Sequence, residues 1–157
     1  MSSSRATSAT SDPRRTLIAA VLIGVGVMAA IDEIIFHQLL AWHHFVEWGT
    51  PAFALFSDGL LHSAELILLV LGFFMFADLR ARKLFSRAYG WAGFFFGAGG
   101  FQLFDGIVDH KILRLHQVRY VDDLWLYDLA WNAAGLIMLG IGIWLLRRAK
   151  AHHNDAR

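Results

Sequence analysis

Aspartate and histidine recur at matched positions in two otherwise apolar stretches of this chain. Gly24-x-Gly26, Asp32, Ile34, His37, Leu40 and His43 are answered 73 positions later by Gly97-x-Gly99, Asp105, Ile107, His110, Leu113 and His116. Behind each copy lies a second matched stretch, 70 positions apart. Asp58, Ala64-x-Leu66-Ile67-x-Leu69 and Gly72 pair with Asp128, Ala134-x-Leu136-Ile137-x-Leu139 and Gly142. Carboxylates and imidazoles held at fixed spacing suit a borderline or hard transition metal such as iron, zinc, manganese or copper(II). One imidazole nitrogen would bind the ion while a neighbouring aspartate orients the other. The chain has no cysteine, which excludes disulfides, thiolate metal sites, c-type haem attachment and thiol catalysis.

The polar set is uneven between the copies. Glu33, His44, His62 and Glu65 of the first align with Gly106, Gln117, Asn132 and Gly135 of the second. The residues expected to bind a metal are His37, His62 and His110, with Asp32, Glu65 and Asp105 as ligands or their supports. Glu33, His43, His44, His116, Asp58 and Asp128 form a second rank. On a regular helix, Asp32 and His43 share one stripe, while Glu33, His37 and His44 share the next.

Such groups are costly in hydrocarbon, and hydrocarbon is what the rest of the chain suggests. Of 157 residues, 57% are hydrophobic, and the mean hydropathy is +0.48. Apolar runs at about 17–36, 59–77, 88–108 and 124–146 approach or reach the length that crosses a bilayer. Small residues at packing spacing, Gly26/Ala30 and Gly93/Gly97, let membrane helices approach closely. The expected fold is an all-α membrane protein. Four transmembrane helices would form a bundle from two tandem hairpins, a parallel internal repeat, over about 17–79 and 88–147. A disordered tail over 1–15 and a C-terminal tail over 148–157 would flank the domain at 16–147. The first run is too long for a signal-peptide core, so it reads as an uncleaved anchor.

Arg5, Arg14 and Arg15 precede the first run, Arg80, Arg82, Lys83 and Arg87 follow the second, and Arg147, Arg148, Lys150 and Arg157 follow the fourth. The segment 45–57 has neither Lys nor Arg. This bias predicts a multi-pass protein of the cell inner (plasma) membrane with both termini cytoplasmic. The Asp/His layer would then lie in the outer half of the bilayer. The net charge of +1 and the lack of a basic stripe give no sign of nucleic acid, so the lipid bilayer is the expected partner.

Three segments carry a family resemblance. They are Asp32-x4-His37-Gln38-Leu39-Leu40-x-Trp42-His43-His44, Asp58-Gly59-Leu60-x-His62, and Phe104-Asp105-Gly106-x3-His110-x5-His116-Gln117-Val118-Arg119. The chain resembles, from about residue 16 to 147, a bacterial family of predicted four-span membrane proteins known as domain of unknown function 2243. The resemblance implies the fold and the site and supplies no reaction. It also suggests respiratory metal or haem handling, with oxidase assembly factors as partners. Gln117 departs from the His-His pair the family pattern leads one to expect. Four functions stay open: an accessory metal-binding protein, a zinc-dependent intramembrane hydrolase with Glu33 or Glu65 as base, a b-type haem protein, and a proton or ion pathway.

Overall fold

The computed structural model describes residues 11–155, and these hold helices and no strand. The stretch 1–10, most of the expected N-terminal tail, lies outside the described residues. Helix α1 (Pro13–Ile31) starts where Asp12 accepts a hydrogen bond from the Arg15 N–H and Pro13 takes the first helical position. That placement satisfies a free N–H and uses proline where it has no donor to lose. Helix α2 (Pro51–Ala81) begins in the same way, with Thr50 as cap and Pro51 behind it. Helix α3 (Arg87–Phe104) and helix α4 (Leu124–Asp155) complete the set.

The central pair is α1 and α3. Helix α2 packs on α1, and α4 packs on α3. Glycine makes the central contact close. A β-carbon at Gly24 would collide with the Phe94 carbonyl oxygen, and one at Gly97 with the Val21 carbonyl oxygen. One at Gly99 would come within 2.7 Å of the Leu139 amide nitrogen on α4. Small residues at a helix contact are how apolar helices gain packing when water offers no driving force.

Among the described residues, three helices are long and apolar enough to cross a membrane: Pro13–Leu39, Pro51–Ala81 and Leu124–Ala151. In the apolar 18-residue stretch of the second and third only 11% and 17% of residues are buried within the protein, against 44% in the first. Leu66, Ile67, Phe74, Leu136 and Ile137 lie exposed on the outer helices, a surface suited to lipid. Helix α3 is not among the three. Its apolar character is diluted by glycines such as Gly90, Gly93 and Gly97, which are buried.

Both central helices change geometry at an aspartate. The chain continues α1 as a π-helix, π1 (Asp32–Leu39), and α3 as π2 (Asp105–Ile112). Their i→i+5 ring sets residues five apart on one side, so Asp32 lies over His37, Glu33 over Gln38, and Asp105 over His110. Each π-helix closes alike. Leu40 N–H donates to Ile35 O and Leu113 N–H to Val108 O. Ala41 and Arg114 then take positive φ, 48° and 52°. The regular-helix expectation for Asp32 and His43 therefore does not hold, because the helix has widened and ended before His43. That residue sits in the following loop.

Candidate metal centre

The two π-helices and the loops behind them bring four imidazoles into mutual contact. His43 and His116 stack with ring centroids 4.4 Å apart and planes 11° apart. His37 lies edge-on to His43 at 4.5 Å, and His110 edge-on to His116 at 4.5 Å. The loops cross to make this arrangement. His43 Nδ1–H donates to the Val118 carbonyl at 2.9 Å, and His116 Nδ1–H to the Phe45 carbonyl at 2.8 Å. A carbonyl can only accept, so the proton is on Nδ1 of each ring. In the neutral rings Nε2 then offers a lone pair. Burial, reinforced by His116 and His37 beside it, pushes the His43 pKa down to about 2, so that ring stays neutral.

His37 is oriented in a comparable way by carboxylates. Its Nδ1 lies 3.2 Å from Asp58 Oδ1, and its Nε2 has no hydrogen-bond partner and faces Asp32 Oδ2 at 3.7 Å. On the other side, His110 Nε2 lies 2.9 Å from His116 Nε2 and 3.1 Å from Asp105 Oδ2. His116 Nε2 lies 3.4 Å from Asp105 Oδ1. Ligand atoms from His37, His43 and His116 fall within 4.8 Å of one another, as do atoms from Asp105, His110 and His116.

All of these side chains are buried, and among the described residues no lysine or arginine is buried with them. Unpartnered atoms gather here, including Asp32 Oδ1, His43 Nε2, Asp105 Oδ2 and His110 Nδ1. Buried polar atoms are ordinarily paired, so a cluster of orphaned acceptors is what an ion would complete. Imidazole nitrogen with carboxylate oxygen fits zinc, iron, manganese or copper(II). At metal–nitrogen distances of about 2.0–2.1 Å, the imidazoles need only small movements to close on an ion.

The structure distributes the expected site residues between two places. Asp32, His37, Asp105 and His110 meet at the centre, joined by His43 and His116. His62 and Glu65 do not reach it. His62 Nδ1 sits 2.6 Å from Glu65 Oε1, and the His62 side chain is 47% exposed beside a lateral cavity. A third grouping, Glu33, His37 and Asp58, links the two places. His44 Nδ1 reaches Asp58 Oδ2 at 2.6 Å. Asp128 pairs with the Lys111 ammonium at 2.6 Å.

Sequence reasoning passed over Asp109 and Gln102, which are both buried. The repeat hid Asp109, because its counterpart in the first copy is Phe36. An acidic residue four places beyond Asp105 in an apolar run was the available signal. A cavity of about 400 Å³ lies toward the other end of the central helices among Ile23, Phe76, Arg80, Arg87 and Trp91, and touches none of these ligands.

No curated protein and no solved structure matches the chain. A family model described as "Predicted membrane protein (DUF2243)" matches residues 19–149. That stretch contains both π-helices, all four central histidines and most of each apolar helix, and the chain belongs to this family of predicted membrane proteins.

Proposed function

We propose that the protein holds a transition-metal ion within the membrane, at a centre formed by His37, His43, His110 and His116 with Asp32 and Asp105. The observation that carries this reading is the direction of the imidazoles. His43 and His116 are tied at Nδ1 to carbonyls of the opposite loop, which leaves the Nε2 of His43 buried without a partner and the Nε2 of His116 facing Asp105 Oδ1 at 3.4 Å. A carbonyl or carboxylate partner on the far nitrogen is how metal-binding histidines are held. In a water-poor site without lysine or arginine, a cation also offsets the cost of two buried carboxylates.

Four spans in two hairpins related by a pseudo-twofold axis form the scaffold of this reading. Reciprocal contacts support the repeat: His43 with Val118 matches His116 with Phe45, and Gly24 with Phe94 matches Gly97 with Val21. The termini face the cytoplasm of a plasma membrane, and the centre lies toward the outside. Asp12 N–H donates to Leu84 O, and Arg15 pairs with Asp78, which is consistent with the arginine-rich segments sharing one end.

Holding an ion, as an accessory to respiratory metal handling, fits better than turnover. A catalytic zinc needs an open coordination position and a way in for substrate, whereas the central histidines are at most 3% exposed. A haem is disfavoured because the rings already touch, with no slab between them for a porphyrin. Metal analysis and an optical spectrum of the full-length protein in mild detergent test this reading. The expected result is bound metal without a Soret band, with the ion at this centre lost in His43→Ala and His116→Ala. Metal-free parent protein, or variants that retain all the metal, would overturn it.

A further inference from the structure

The two halves differ most at the outer edge of the π-helices, and the difference concerns a positive charge. In the second half, Lys111 reaches Asp128 Oδ2 at 2.6 Å and Gln117 Oε1 at 2.7 Å. The repeat offset places Gln38 opposite Lys111, and Asp58 opposite Asp128. The first half therefore lacks the ammonium, yet it carries more acid. Glu33 stands where the second half has Gly106, and Glu65 where it has Gly135. Glu33, Asp58 and Glu65 are 1–2% exposed, and among the described residues no lysine or arginine pairs with them.

Hydrogen bonding leaves this acid incompletely satisfied. His37 Nδ1 carries at most one proton, and its hydrogen-bonding direction runs to Asp58 Oδ1 at 3.2 Å. Glu33 Oε2 lies 2.8 Å from the same nitrogen but without a hydrogen bond. Glu65 Oε2 is also buried and unpartnered. Asp58 is the well-bound member, since the Phe45 N–H and His44 Nδ1 both meet its oxygens at 2.6–2.7 Å. Glu33, Gln38, Asp58 and His62 line one lateral cavity of about 250 Å³. Glu65 holds His62 Nδ1, which leaves Nε2 of that ring free to bind.

We propose that this cavity is a second cation site, for a divalent transition-metal ion held by Glu33 and His62 with Asp58 and Gln38 beside it. The Lys111 ammonium permanently fills the corresponding place in the other half. The inference rests on the metal-binding reading of the centre and on the repeat. It adds a site with its own ligands, joined to the centre only through His37. Glutamate oxygen and imidazole nitrogen suit the same borderline ions as the centre. Charge is the deciding term, because an uncompensated carboxylate in a membrane bundle costs a few kcal/mol or more.

The test uses Co²⁺ as probe on the full-length protein in detergent, with bound cobalt counted per chain by elemental analysis. Gln38→Lys imports the ammonium of the second half, and Glu33→Gln removes the ligand charge at almost unchanged volume. Each should lose one equivalent relative to the parent. His116→Ala should lose the central ion and keep the lateral one. Should Gln38→Lys fail to fold, Glu33→Gln reads the same loss. Full retention of cobalt in the lateral variants would overturn the lateral site while leaving the centre standing. Full retention in His116→Ala, with loss in Glu33→Gln, would instead overturn the central reading.

Discussion

Asp32 and His43 show how a single side chain divides its effect between stability and binding. Asp32 is 1% exposed, with Oδ1 unpartnered and Oδ2 3.7 Å from His37 Nε2. Removing a buried charge can leave the metal-free fold as stable as before, or more so. Asp32→Ala should therefore leave the melting temperature of metal-free protein unchanged or raised, yet weaken metal binding by more than tenfold. Thermal melts with and without added metal separate the two effects. A variant that melts early without metal, and still gains the parent's full increment with it, would remove Asp32 from the centre. His43→Ala should remove the central ion's share of the increment, since it deletes one of the two stacked rings.

At the scale of the element, glycine positions decide whether the central helices can meet. A β-carbon at Gly24 or Gly97 meets backbone of the facing helix, which cannot swing aside, whereas one at Gly140 meets nothing within 4 Å. Gly24→Ala and Gly97→Ala should each cost about 1–3 kcal/mol. Gly140→Ala should be neutral, or stabilising by up to about 1 kcal/mol through helix propensity. Melting of the three variants in detergent checks the ranking, and equal melting would contradict the close α1–α3 contact. Much of this level can be read from spacing: Asp32, His37, Asp105 and His110 stand out as polar residues in apolar runs, and Gly93 and Gly97 as contact residues. The π-helices cannot be read in that way. Hydrophobic period distinguishes a helix from a strand, but the extra residue per hydrogen-bonded ring leaves no mark in composition. The central place of His43 and His116 depends on carbonyls of Val118 and Phe45 more than 70 positions away. His62 looked central by depth, and its exposure follows from the face of α2 it occupies.

For the whole molecule, sidedness is the property with most consequence, since it decides which compartment exchanges ions with the centre. The absence of cysteine makes single introduced thiols clean reporters. Asp122 lies exposed in the connection before α4, and Ala81 lies exposed at the end of α2. In intact cells, Asp122→Cys should react with a membrane-impermeant maleimide. Ala81→Cys should react only after permeabilisation. The reverse pattern would invert the topology and place the metal centre toward the cytoplasm.

The central claim is that imidazoles of both halves bind one metal centre, and X-ray absorption at the metal edge tests it most directly. Full-length protein loaded with Zn²⁺ in detergent should show imidazole nitrogen at about 2.0–2.1 Å, averaged over the central and lateral sites, with carboxylate oxygen completing the shell. In Glu33→Gln, which empties the lateral site, the imidazole scattering per bound zinc should rise. In His116→Ala it should fall. An oxygen-only shell without imidazole scattering, the same in the parent and in His116→Ala, would contradict the account.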